Sequence, residues 1–210
     1  MRALLALAIA LPSVARADAI TKSTSSDDDV HLVGDVRMLI YDRDDNNYFR
    51  DASRFNYSMS SAALGIMGTL GVQVSPRLAL AGEAFYALDG ADRGDARLRL
   101  ASGALVGVAR FSLAHLHENQ VDADISALGG FGRYYIKETF VDPGLSPMVY
   151  STSAGSFGGL GGVEASISAS SFRAVICYAY HYAPATIDDR IRGSVDAGGH
   201  AVSLGIGVRL

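Results

Sequence analysis

Few side chains in this sequence have the types and spacing that catalysis requires. His200 and Ser203 lie three residues apart in the closing segment HAVSLGIGVRL. Residues three apart on a β-strand point to opposite faces, so this pair is not a nucleophile with its base. His181 lies on the more polar face of another alternating segment, near a long polar connection, but no His-x-Ser arrangement accompanies it. We therefore predict a non-enzymatic protein that needs no cofactor.

The segment DRDDNN is the one stretch whose spacing suggests a metal. Asp42, Asp44 and Asn46 occupy alternate positions, as at the start of a calcium-binding loop. The central glycine and the later bidentate glutamate of such loops are missing, so the segment predicts a solvated acidic loop and no metal site. Cys177 is the only cysteine, which excludes an internal disulfide, and we interpret it as a small buried residue.

Charged residues recur on one face of segments whose other face is apolar. With the phase of each segment set by its apolar residues alone, the opposite face collects nine charges, among them Asp122 and Arg209. Opposite charges in a low-dielectric interior should pair, because an unpaired buried charge is costly. We predict an interior charge network made of Asp35, Arg37, Glu83, Arg110, Asp124, Glu164 and Arg173. Such a network favours a structural plug, and a gated narrow path for protons or small ions is the alternative.

The elements that must position these charges are β-strands, because apolar residues recur with a period of two. Eight such segments follow one another between residue 30 and residue 210. The connections alternate between long polar stretches (42–55, 89–96, 137–153 and 184–199) and short ones (75–77, 115–120 and 168–171). The pattern predicts an all-β, eight-stranded antiparallel up-and-down transmembrane β-barrel.

Two positions disturb the alternation. In the fourth segment, Leu98 and Leu100 are out of phase with the apolar face that begins at Leu105, which predicts a β-bulge near residues 101–103. In the fifth segment, Arg133 falls on the apolar face beside Phe131, which places it at the membrane interface unless the register slips there.

Tyrosines cluster at the strand ends that adjoin the long connections. Tyrosine has an apolar ring and a polar tip, so it settles at membrane–water interfaces. The sequence therefore predicts a girdle made of Tyr41, Tyr57, Tyr86, Tyr135, Tyr150, Tyr178, Tyr180 and Tyr182.

The amino-terminal segment has the layout of a secretory signal peptide. Arg2 precedes an unbroken apolar run over residues 3–11, and Pro12 and small residues at 15, 17 and 19 follow. We assign residues 1–19 to a signal peptide, 20–29 to a polar tail and 30–210 to the barrel. The formal charge of −4, without a basic stripe, argues against nucleic acid as a partner.

Taken together, these features resemble the small outer-membrane β-barrels of the OmpA/OmpX type. The resemblance rests on the signal peptide, the eight strands, the alternation of long and short connections, and the last strand AVSLGIGVRL. It implies a location in the outer membrane of a Gram-negative cell, contact with its lipid, and recognition of the last strand by the barrel-assembly machinery. Members of the family usually end in Phe, whereas this chain ends in Leu210. We expect a monomer.

Three functions remain open at this point. The first is a non-enzymatic barrel with a structural or surface-interaction role. The second is a narrow channel or transporter for small solutes or ions. The third is a soluble lipocalin-like barrel that binds an apolar ligand, a fold that reverses the pattern by facing its apolar residues inward.

Overall fold

A computed structural model describes residues 31–46, 48–54, 57, 59–118, 120–142, 148–189 and 193–209. The predicted signal peptide, the polar tail and Leu210 lie outside these residues. Among the described residues, no helix combines the length and the hydropathy needed to cross a membrane.

The described chain consists of nine strands and one short helix. The strands are β1 (Leu32–Asn46), β2 (Ala62–Ser75), β3 (Leu78–Arg93), β4 (Ala96–Glu118), β5 (Val121–Asp142), β6 (Met148–Ala169), β7 (Phe172–Tyr182), β8 (Thr186–Asp189) and β9 (Gly193–Arg209). The helix α1 (Tyr48–Arg54) follows β1.

Eight of the strands close into a barrel, as the sequence predicts. Consecutive strands from β1 to β7 pair antiparallel, β7 pairs with β9, and β9 returns to β1. The short strand β8 pairs only with the start of β9 and lies outside the ring. The ring is staggered. Gly199 of β9 is connected, through one paired residue on each of the other seven strands, to Arg209, which lies ten residues further along β9. Such a stagger requires strands that tilt by roughly 35–45° to the barrel axis.

The outer surface of the barrel is apolar along most of its height. Large side chains such as Met38 and Leu64 are 76% and 69% exposed, and similar residues occur on every strand of the ring. Their neighbours in sequence, such as Arg37 and Ala63, are buried inside. This arrangement is the reverse of a soluble ligand-binding barrel and is that of a transmembrane one.

The bulge predicted near residues 101–103 is wrong. Pairing of β4 with β3 and β5 runs through this stretch without a shift, and the only irregularity between β4 and β5 lies between Ser112 and Ala114. Leu98 and Leu100 are fully buried because they face inward, in phase with Val106. The prediction failed because it assumed a polar interior at every level, whereas the interior is apolar at this end.

The long polar connections of the sequence are largely strands. β3 and β4 continue to a turn at residues 94–95, β5 reaches Asp142, and β8 with β9 forms a further hairpin. Beyond the apolar band the outward face carries polar residues such as Arg97 and Arg99, so the apolar outward face that marks a strand in the sequence is lost although the pairing continues. We call this end of the barrel the long-hairpin end and the opposite end the short-turn end.

The tyrosine girdle is smaller than the sequence predicts. Tyr86, Tyr135, Tyr150, Tyr178, Tyr180 and Tyr182 are on the outer surface. Tyr41 and Tyr57 are buried, which corrects their assignment. Tyr41 has the inward phase of β1, and its hydroxyl donates to the Ala197 carbonyl at 2.6 Å.

Gly207 on β9 lies between Asp35 on β1 and Arg173 on β7, with which it pairs on either side. A Cβ at Gly207 would overlap the Gly34 carbonyl and lie 2.6 Å from the Asp35 Cβ. The absence of a side chain at this position is therefore a packing requirement.

We expect Gly207→Ala to lower the free energy of unfolding of the refolded barrel by about 1–3 kcal/mol, because the added methyl overpacks the wall. Urea titration of the purified barrel measures this. Gly161→Ala is the matched control, since a Cβ there would meet nothing within 4 Å. Equal effects of the two substitutions would contradict the packing argument.

Candidate functional site: the barrel interior

Three arginines and three carboxylates meet in the half of the barrel nearer the short turns. β1 contributes Asp35 and Arg37, and four further strands contribute the others. We call this group the interior ion-pair cluster: Asp35, Arg37, Glu83, Arg110, Glu164 and Arg173.

Arg37 is fully enclosed and binds two carboxylates. Its Nε lies 2.5 Å from Asp35 Oδ1, and its Nη2 lies 2.8 Å from Glu164 Oε2. Arg37 and Asp35 both belong to β1, and they lie on the same face of it because they are two positions apart.

Glu164 joins all three arginines. Arg173 Nη2 lies 2.5 Å from its Oε1, and Arg110 Nε lies 3.3 Å from its Oε2. Arg110 also pairs with Glu83 at 2.5 Å, and Arg173 with Asp35 at 2.9 Å. Three positive charges thus face three negative ones, and the cluster is formally neutral.

The contact between Arg173 and Asp35 crosses β9. Both residues pair with Gly207, and a side chain at that position would stand between them. Gly207 of the last strand therefore explains how the cluster reaches across β9, from Arg173 on β7 to Asp35 on β1.

Asp124 is not part of the cluster, which corrects its place in the predicted network. Ser112 Oγ donates to Asp124 Oδ2 at 2.5 Å, and Ser126 donates to its other oxygen. The strand tilt places Asp124 nearer the short turns than the alternation alone can indicate.

A second polar group lies near Asp124, at the mouth of the barrel. The Asp122 carboxylate accepts a hydrogen bond from His117 Nδ1 at 2.7 Å and forms an ion pair with Arg209 at 3.0 Å. His115 lies 3.6 Å from Asp122 and 3.7 Å from Asp124. Sequence reasoning missed both histidines because it assigned them to a turn, whereas they continue the inward face of β4.

The mouth opens into a polar vestibule with a volume of about 680 Å³. Arg110 and Arg173 of the cluster form part of its lining, together with Asp122 and Asp124. The vestibule therefore ends against the ion pairs.

Above the cluster, towards the long hairpins, the interior is filled by buried and mostly aromatic or aliphatic side chains. We call this group the apolar closure: Leu39, Tyr41, Phe85, Leu100, Tyr134, Ile136 and His181. The His181 ring makes edge contacts with Tyr41, Phe85 and Tyr134, and its Nδ1 lies 3.1 Å from the Tyr134 hydroxyl. Tyr48 of α1 is also buried, and its hydroxyl donates to Glu138.

The residues considered for catalysis do not come together. His200 is exposed against the rings of Tyr178 and Tyr180, whereas Ser203 is buried inside the barrel. Cys177 is buried, as expected from the sequence.

The acidic segment considered for calcium continues β1. The Asp44 carboxylate there accepts a hydrogen bond from the Tyr180 hydroxyl at 2.7 Å. Within the part of the chain that the structure describes, no group of three metal-binding side chains converges.

No protein-family model and no curated protein matches the sequence. Solved structures do match the fold. Ail, the attachment invasion locus protein of Yersinia pestis, superposes with a TM-score of 0.59 at 12% identity, covering 87% of this chain and 99% of Ail. A major outer membrane protein from Thermus thermophilus gives a TM-score of 0.56 at 12% identity, with coverages of 85% and 99%. The chain therefore has the fold of small outer-membrane β-barrels, which confirms the predicted resemblance at the level of the fold.

Removing the central arginine should destabilise the barrel strongly. Arg37→Met leaves Asp35 and Glu164 short of a partner in a buried site, which costs about 3–5 kcal/mol of unfolding free energy. Urea titration checks this. Asp92→Asn breaks the exposed pair with Arg99 and is the control, with little effect expected because water screens such a pair. A loss from Arg37→Met as small as that of the control would contradict the role of the cluster.

Proposed function

We propose that the chain is a closed, non-enzymatic barrel of the Gram-negative outer membrane that presents its long hairpins at the cell surface. The observation that carries the proposal is the filled interior. The polar vestibule ends against the interior ion-pair cluster, and the apolar closure fills the interior beyond it.

A filled interior argues for a structural role and against conduction. An eight-stranded barrel is only wide enough for side chains to fill it. Here a buried, fully paired set of charges is followed by the apolar closure, whose members are at most 6% exposed. An ion crossing this layer would lose most of its hydration among side chains that are mainly apolar, which is costly.

The long-hairpin end provides the surface that would face the exterior. Short turns in such barrels lie on the periplasmic side and longer loops outside. The β3–β4 hairpin and the β8–β9 hairpin extend beyond the apolar band, and α1 packs over the interior at the same end. These elements are the candidates for contact with other molecules at the cell surface.

The closed ring also supports insertion as a monomer. Pairing of β9 with β1 leaves no free strand edge within the ring, so no second chain is needed to cover one. The outward residues Val202, Leu204 and Ile206 give β9 the alternating apolar face on which recognition by the barrel-assembly machinery would depend.

Labelling of intact cells tests the orientation. Asp95→Cys places a thiol on the β3–β4 hairpin and Ser171→Cys places one on a short turn, while the native Cys177 is buried and gives little background. We expect a membrane-impermeant maleimide to label Asp95→Cys on intact cells and Ser171→Cys only after the outer membrane is permeabilised. The opposite pattern, or no labelled protein in the outer-membrane fraction, would overturn the proposal.

Planar bilayer recording tests the closure with the same preparations. We expect no conductance steps from the purified parent barrel under conditions in which a general porin conducts. Steps from the parent whose ion selectivity changes in Glu83→Gln would establish the channel instead.

A further inference from the structure

The outer surface of the barrel has one cationic feature that the proposed function does not use. On β5 the outward side chains run from Val121 through Phe131 to Arg133, Tyr135 and Lys137. Arg133 keeps the outward phase that the sequence gives it, because pairing of β5 with β4 and β6 continues through it without a shift. The question is what a guanidinium on this face contacts.

Arg133 stands at the edge of the apolar band. The ten residues from Val121 to Phe131 rise about 25 Å along a strand tilted by roughly 40°, which is the height of the lipid-facing band in such barrels. On the neighbouring strand the outward face changes at the same pair, from Leu105 to Gly103, Ala101 and Arg99. Arg133 and Lys137 therefore lie at the level of the lipid head groups at the long-hairpin end.

The two cations border a recess in the wall. On β6 their paired residues are Phe157 and Ser153, and between these lies Gly155, which pairs with Tyr135 and has no side chain. The Tyr135 ring leans the other way, over Gly103 on β4, where a Cβ would overlap it. The gap above Gly155 is thus framed by Arg133, Lys137, Ser153 and Phe157, and we call it the Arg133 recess.

The recess is positively charged and its lower edge is rigid. The rings of Phe131 and Phe157 stack at 5.8 Å with an angle of 7° between their planes. Among the described residues, no carboxylate is within ion-pair distance of Arg133 or Lys137. The one acid on the outward face of the adjoining hairpin, Asp92, pairs with Arg99 at 2.7 Å.

We propose that the Arg133 recess binds a phosphate group of the phosphorylated glycolipid of the outer leaflet. Arg133 would bind phosphate oxygens through its planar fork and Lys137 would add a second charge, while Phe131 and Phe157 pack against the acyl chains below. Ser153 supplies a neutral hydrogen-bond donor at the same level. The inference rests on the proposed location in the outer membrane.

Binding of defined lipids to the folded barrel in detergent tests the proposal. The probes are bis-phosphorylated lipid A, the same lipid A with its phosphates removed, phosphatidylglycerol, and inorganic phosphate. We expect the parent to bind phosphorylated lipid A about tenfold more tightly than the dephosphorylated form, and the double variant Arg133→Gln, Lys137→Gln to lose about that factor. Arg77→Gln, which removes an exposed charge at the short-turn end, should bind like the parent.

Three results would overturn the proposal. Unchanged binding by the double variant would remove the two cations from the site. Equal binding of phosphatidylglycerol would reduce the recess to a general interfacial charge. Saturable binding of inorganic phosphate alone, lost in the double variant, would assign the site to a free anion.

Each variant is first checked for the heat-dependent gel shift of a folded barrel, so a folding defect is not counted as lost binding. A parent that passes the labelling and conductance tests but binds no lipid A would refute this inference and leave the proposed function standing.

Discussion

The structure depends on the pairing of six buried charges in the interior of a narrow barrel. The six residues come from five different strands, so the complete cluster forms only when the ring has closed. Arg173 on β7 reaches Asp35 on β1 because Gly207 on β9 leaves the space between them. The last strand thus contributes to closure in two ways. Its backbone pairs with β1, and Gly207 allows the side chains of Arg173 and Asp35 to meet across it.

The same constraint divides the interior into two halves with different chemistry. A low-dielectric space tolerates charges only where partners are at hand, and the cluster provides them near the short turns. At the long-hairpin end the inner face is apolar, and burial of residues such as Leu100 and Ile136 needs no polar partner. The combination explains an interior that is open at one end and filled at the other, and the proposed structural role rests on this arrangement.

The sequence was sufficient to predict the ring, because lipid and interior lie on opposite sides of every strand and impose a period of two. It was insufficient at the long-hairpin end, where the inner face is apolar and the outer face is polar. Leu98 and Leu100 were wrongly interpreted as evidence of a bulge, because the interior at their level is apolar. The extended hairpins were wrongly predicted as loops, because their outward residues are polar. The partners of Asp124 were also not predicted. The alternation shows which face a residue lies on, but the stagger of the barrel sets its height along the axis and therefore which residues of other strands it meets.

At Arg133 the alternation places a charged residue on the lipid-facing side of the barrel. The free-energy cost of such a residue depends on its depth in the membrane. An arginine facing lipid near mid-membrane costs about 2–4 kcal/mol, but about 0–1 kcal/mol near the interface. The unbroken register of β5 rules out an inward orientation, so the cost must be small and the residue must lie at the head groups. The same position that violates the apolar pattern therefore marks the edge of the lipid-facing band at the long-hairpin end. An anion at that boundary is the partner that turns the remaining cost into a favourable contact.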